Sequence, residues 1–205
     1  MRKLVPFAFI LSAVFFSALP AFAQPKADAV AAPGVVNIAI VNSSLPHSRT
    51  LIKGLDESVK VYVVRDHEII DDVFKRISRQ CNKSNETIGS IAVFSPGKSG
   101  QFDLGGDKIS PRNLKFIGKG FSVITPVLAP DAQLLIYTSE VGNGKNGEKL
   151  MTSLKDYFPG KIYMSSNLTG KGGDWDLEIS NADTPAPVLV NTEYLNKHYR
   201  YALGK

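Results

Sequence analysis

The 205-residue sequence is poor in the side chains that most chemistry needs, with one cysteine, three histidines and one tryptophan. A single cysteine excludes a disulfide scaffold, and no His-Glu-x-x-His pairing is present, so no metal site and no cofactor is expected. Charge of one sign is also scarce. Lys+Arg 24 against Asp+Glu 19 gives a formal net charge of +5, and the cations are interleaved with Asp and Glu. A domain that lives on phosphate contacts carries a basic stripe, so nucleic acid is not an expected partner. Long apolar runs are confined to the N-terminal segment, which excludes a multi-span membrane protein. The balance of 43% hydrophobic to 21% charged residues excludes a wholly disordered chain.

What is present begins with an export signal. Arg2 and Lys3 precede an apolar run from Leu4 to Leu19, and Pro20-Ala21-Phe22-Ala23 supplies an Ala-x-Ala exit before Gln24. Residues 1–23 read as a secretory signal peptide, because the apolar run bracketed by Pro6 and Pro20 is short for a bilayer span. The expectation is a secreted or periplasmic protein with no stable membrane span after cleavage. Residues 24–34 read as an Ala- and Pro-rich linker, 35–180 as one α/β domain, and 181–205 as a C-terminal extension with a short Tyr-rich helix. On a helix, Cys81 shares a face with Ile70, Phe74 and Ile77, so it reads as a buried structural thiol.

From Val35 onward, short β-branched runs alternate with helical patterns. Strands are predicted at Val35–Val41, Val59–Val64 and Ile88–Phe94, and helices at Arg49–Leu55 and Glu68–Cys81. The alternation predicts a parallel sheet, and the near-continuous apolar strands predict helices on both faces, an αβα sandwich of three layers. Gly105-Gly106 between Gln101–Leu104 and Asp107–Ile109 predicts a small β-flap. Ser110-Pro111 opens an imperfect helix to about Leu128. Leu134–Tyr137, Lys161–Ser165 and Trp175–Ile179 read as further strands, and Gly147–Tyr157 as a helix.

Several motifs invite a chemical reading and do not sustain one. Ala92 to Ser99 matches a relaxed phosphate-loop pattern, but a flap follows Lys98-Ser99 where phosphate binding needs a helix. His47 and His67 follow the first and second strands, at the carboxyl edge where parallel sheets bind ligands. Loops are also where solvated histidines ordinarily fall. Asp71-Asp72 suits the positive end of a helix dipole, and Trp175 suits a core or edge anchor.

Four stretches carry a resemblance: Asn42-Ser43-Ser44-Leu45-Pro46, Ser95-Pro96-Gly97-Lys98-Ser99-Gly100, Tyr137-Thr138-Ser139-Glu140-Val141-Gly142, and above all Leu168-Thr169-Gly170-x-Gly172-Gly173-Asp174-Trp175-Asp176-Leu177-Glu178. The chain resembles a bacterial domain of unknown function with a caspase-like fold, related to clan CD cysteine peptidases and common at the N-terminus of large cadherin-like or haemolysin-repeat surface adhesins. In that family the third-strand loop reads Ser-His-Gly and the fourth-strand loop Tyr-Gly-Cys-Asn, giving a His and Cys dyad. Here those positions are Pro96 and Ser139, and Asn42 and Asn167 stand where the family usually has Asp. The resemblance implies a degenerate cleft around Asn42, His47, His67, Lys98, Ser139, Glu140 and Asn167. A serine hydroxyl without a base is inert, and proline offers no proton donor or acceptor. The expected function is therefore an exported pseudoenzyme that binds a protein or peptide partner in the cell envelope or outside the cell. The alternative is a repurposed serine hydrolase in which His47 or His67 activates Ser139.

Overall fold

The computed structural model describes residues 32–204. The signal peptide expected over 1–23, and the linker up to residue 31, lie outside the described residues. Along the chain the elements are β1 (Gly34–Asn42), α1 (Ser48–Lys53), β2 (Lys60–Val64), α2 (Ile70–Ser84), β3 (Glu86–Phe94), β4 (Gly97–Lys98), β5 (Gln101–Leu104), β6 (Asp107–Ile109), α3 (Pro111–Ile117), α4 (Lys119–Ile124), β7 (Leu128–Tyr137), α5 (Gly144–Lys155), β8 (Lys161–Met164), β9 (Ile179–Ser180) and α6 (Thr192–His198).

The main sheet runs β2-β1-β3-β7-β8-β9. Its first five strands are mutually parallel and β9 is antiparallel to β8. The continuous apolar character of the central strands has a direct cause, because alternate residues feed two different cores. Ile38, Ile40, Ile91, Val93, Leu134 and Ile136 point into one. Ala39, Val41, Ala92, Phe94, Leu135 and Tyr137 point into the other. The first core is closed by Val73, Phe74 and Ile77 of α2, Leu114 of α3, Phe121 of α4 and Leu150 of α5. Leu51 of α1, Leu195 of α6, Trp175, Tyr199 and Leu203 close the second. The fold is thus a mixed α/β sandwich with a mostly parallel sheet between two helical layers. Cys81 is buried in the first core beside Ile77, and burial pushes its thiol pKa up.

A second sheet, β4-β5-β6, is the expected flap, antiparallel throughout and turning at Gly105-Gly106. Two local expectations differ from the structure. The helix expected from Ser110 to Leu128 is broken at Gly118 into α3 and α4 and ends in a 3₁₀ turn at Thr125–Val127. The Ser110 side chain does cap α3, accepting from the Asn113 N–H at 3.3 Å. The strand expected over Trp175–Ile179 shrinks to Ile179–Ser180. Asp174 explains the loss, since its carboxylate accepts the Asp176 N–H at 3.1 Å in a local turn that competes with a sheet ladder.

Candidate functional site

Parallel pairing of β3 with β7, with Phe94 opposite Tyr137, brings the two following loops side by side at the carboxyl edge. Phe94 and Tyr137 stack with ring centroids 4.7 Å apart, and burial drives the Tyr137 phenol far above its ordinary pKa. One residue further on, the two strand ends are tied by hydroxyls. Thr138 Oγ1 donates to the Ser95 carbonyl at 3.0 Å, and Ser95 Oγ lies 3.1 Å from Thr138 Oγ1. Both side chains are buried. Pro96 and Ser139 then follow on adjacent strand ends.

Ser139 is 3% exposed. Its Oγ accepts the Thr169 N–H at 3.0 Å and is 3.4 Å from the Thr169 carbonyl. No histidine is among its hydrogen-bond partners in the described residues. His47 sits in the left-handed region (φ 49) at the head of α1. Its ring stacks on Tyr201 with centroids 5.0 Å apart and planes 17° apart. His67 is exposed on the loop between β2 and α2, and His198 is exposed at the end of α6.

The other expected cleft residues divide into two groups. Asn42 is buried and joins two loops: its Oδ1 accepts from Ser44 N–H and Oγ–H at 3.1 and 2.9 Å, while its Nδ2 donates to the Gly105 carbonyl of the flap at 3.4 Å. Only an amide can do both, because an ionised carboxylate has no proton to give. Asn167 is exposed, and its Nδ2 donates to Asp174 Oδ2 at 2.9 Å. A carboxylate there would oppose another carboxylate. Glu140 adopts φ 59, and its N–H donates to the Asn167 carbonyl at 2.6 Å. Lys98 lies exposed on β4, and its amine makes no hydrogen bond or ion pair among the described residues.

The structure adds residues that sequence reasoning did not place here. Leu168–Asp174 forms a tight turn in which Gly170 N–H donates to the Asp174 carbonyl at 2.9 Å and Gly173 N–H to the Gly170 carbonyl at 3.0 Å. Gly170 has φ 96, and a Cβ built on Gly173 would fall 1.6 Å from the Leu168 carbonyl oxygen. Only glycine fits such positions. The turn offers the backbone of Thr169–Lys171 as a free edge, and the chain's last residues pair with it. Leu203 N–H donates to the Thr169 carbonyl and Lys171 N–H to the Tyr201 carbonyl, both at 2.9 Å. The one available signal was the period-two apolar pattern of Tyr199, Tyr201 and Leu203, which is strand-like and follows the helix directly.

Trp175 anchors this tail. It is 4% exposed, its Nε1–H donates to Asn196 Oδ1 at 3.1 Å, and it meets Tyr199 edge-on at 5.9 Å. Beside the tail opens a cleft of about 690 Å³, lined among others by Asn42, Pro46, Asp66, Pro96, Lys108 and Tyr201. It combines β1, β2 and β3 loops with the flap, at the carboxyl edge where open α/β sheets take ligands. The segment after Ala92 continues as strand through Phe94 and then as β4 of the flap, so no helix N-terminus stands where a phosphate loop needs one.

Among the described residues no group of three or more His, Cys, Asp or Glu is placed to hold a metal ion, and no helix is long and apolar enough to cross a membrane. Residues 38–203 match the model of a family described as Domain of unknown function (DUF4347), and the chain belongs to that family. No curated protein matches the chain.

Proposed function

For this member of the DUF4347 family, we propose a role as an exported, catalytically inactive caspase-like domain that binds a protein or peptide in the cell envelope or outside the cell. The observation that carries the reading is the state of Ser139. Its hydroxyl is buried, is engaged by the Thr169 backbone, and has Pro96 on the neighbouring strand end. Nucleophilic catalysis needs a base within hydrogen-bond reach of the attacking oxygen, about 2.6–3.2 Å. The caspase-like assignment is supported by the central pairing of β3 with β7, which sets the two degenerate positions side by side. Export is supported by the Arg2-Lys3, apolar and Ala-x-Ala pattern of the first 23 residues.

Loss of a dyad leaves such a fold intact, because the apolar strands carry its stability at about 25 cal/mol per Å² buried and the site does not. The binding reading is supported by the cleft of about 690 Å³, within the volume range of ligand pockets. The test is intact-mass analysis after exposure to a fluorophosphonate probe, on wild type and Ser139→Ala. Unchanged mass in both is expected. A stoichiometric adduct lost in Ser139→Ala would establish a serine hydrolase instead.

A further inference from the structure

The chain's own C-terminal residues indicate what kind of ligand the carboxyl-edge groove takes. Tyr201 to Gly204 run between the Thr169–Lys171 backbone and the Ser139 loop, with Ala202 in an isolated antiparallel bridge to Gly170. Three backbone bonds hold them. Lys171 N–H donates to the Tyr201 carbonyl, Leu203 N–H to the Thr169 carbonyl, and Ser139 N–H to the Leu203 carbonyl, at 2.9, 2.9 and 3.1 Å. Main-chain bonds of this kind hold a bound peptide independently of its sequence, here made to a glycine-rich turn rather than to a strand of the sheet.

One side chain of the segment is anchored and another is not. Leu203 is fully buried in the second core, whereas Tyr201 is 38% exposed and lies on the His47 ring. The position of the Leu203 carbonyl is also specific. It accepts from the backbone N–H of the residue at the nucleophile position, as the carbonyl of an acyl substrate does in an oxyanion site. Gly204 follows directly over the Ser139 side chain, close enough that a Cβ built on it would lie 3.2 Å from Ser139 Cβ. The Leu203 carbonyl and Gly204 thus lie beside Ser139.

We propose that this groove is a peptide-binding site for an extended segment with a leucine in the Leu203 position, and that residues 201–204 fill it in cis until a competing peptide displaces them. The proposal rests on the non-catalytic binding reading above and gives that site a ligand class and a regulation. Displacement of 201–204 need not unseat the preceding helix, because Leu195 and Tyr199 have their own places in the second core beside that of Leu203. A tethered segment competes at an effective concentration on the order of millimolar, so the wild-type groove resists a free peptide.

The test uses the full chain. Wild type and Leu203→Asp are titrated with a fluorescein-labelled Arg-Tyr-Ala-Leu-Gly-Lys peptide by anisotropy, and Trp175 emission reports the tail. The expected result is binding to Leu203→Asp at least about tenfold tighter than to wild type. A control peptide with aspartate in place of the leucine should not bind, and adding Gly170→Ala should abolish binding, because its Cβ would fall 2.6 Å from the carbonyl oxygen that occupies the Tyr201 position. If Leu203→Asp does not melt cooperatively, Leu203→Ala replaces it. A folded variant that binds the peptide no better than wild type would overturn the proposal. Fluorophosphonate labelling of the same variant is a separate readout: an adduct on Ser139 would overturn the non-catalytic reading, whereas failed peptide binding without an adduct overturns only the tail proposal.

Discussion

The backbone N–H of Ser139 donates to the carbonyl of Leu203 at 3.1 Å, joining the end of β7 to a residue that follows it by more than sixty positions. The bond places residues 203 and 204 beside the Ser139 side chain. It also accounts for the burial of Ser139 in a loop at the sheet edge, where open folds ordinarily leave their reactive residues accessible.

Replacing Ser139 should cost stability rather than activity. Its Oγ is the acceptor for the Thr169 N–H, so Ser139→Ala leaves a buried donor unpaired, a loss of about 1–3 kcal/mol. Urea unfolding should show a lower midpoint with an unchanged slope. An unchanged midpoint would mean that water or a rearranged turn satisfies Thr169.

The Gly-rich turn should tolerate no side chain at Gly173. Relieving a Cβ placed 1.6 Å from the Leu168 carbonyl oxygen requires the backbone to move, at about 1–3 kcal/mol. Because the same turn presents the Thr169–Lys171 edge, Gly173→Ala should also raise the susceptibility of the tail to trypsin at Arg200. Thermal melting and limited proteolysis read the two effects separately.

Leu195 is the buried residue of helix α6. Leu195 is fully buried, and its Cδ2 lies 2.3 Å from where a Cβ on Gly54 would sit. Leu195→Ala is expected to destabilise by about 2–5 kcal/mol. Gly54→Ala should destabilise through the same contact, with a double variant less impaired than the sum of the singles, measured by denaturant titration.

Alkaline pH should weaken the fold through Tyr199. Burial raises its phenol to about 12 from an ordinary 10.0, so the folded state holds this proton more tightly than the unfolded chain does. The contribution is complete below about pH 10 and is lost as pH rises toward 12. Burial of Tyr137 acts in the same direction. The Tyr199 hydroxyl has no hydrogen-bond partner among the described residues, so Tyr199→Phe should leave stability at neutral pH within about 0.5 kcal/mol and reduce the alkaline loss. Melting temperatures across that pH range check both points.

Cys81 should be silent toward thiol reagents in the folded protein, because it is 2% exposed and burial raises its pKa. Ellman's reagent should react only after denaturant is added. Rapid reaction in the native state would contradict the placement of α2.

Much of this architecture was legible in local patterns. The apolar runs of β1 and β3 predict strands buried on both faces, Gly105-Gly106 predicts the flap, and the spacing of Ile70, Phe74, Ile77 and Cys81 predicts the buried face of α2. The misses arise from one local side-chain turn and from contacts between residues distant along the chain. Trp175 reads as a strand residue until Asp174 turns the backbone and Asn196 takes the indole N–H. Propensity does not reveal that Thr169, inside a conspicuous glycine motif, would bond Ser139 and Leu203 at once. The tail's period-two pattern shows an extended segment but not the edge it meets.

The most direct test of the central claim, a non-catalytic groove filled by residues 201–204, is amide hydrogen exchange at Leu203, Ser139 and Lys171. The account predicts that all three are protected in wild type and lose protection together in Leu203→Asp, while the β3 and β7 amides stay protected. Free-peptide exchange at Leu203 in wild type, with β3 and β7 still protected, would contradict it.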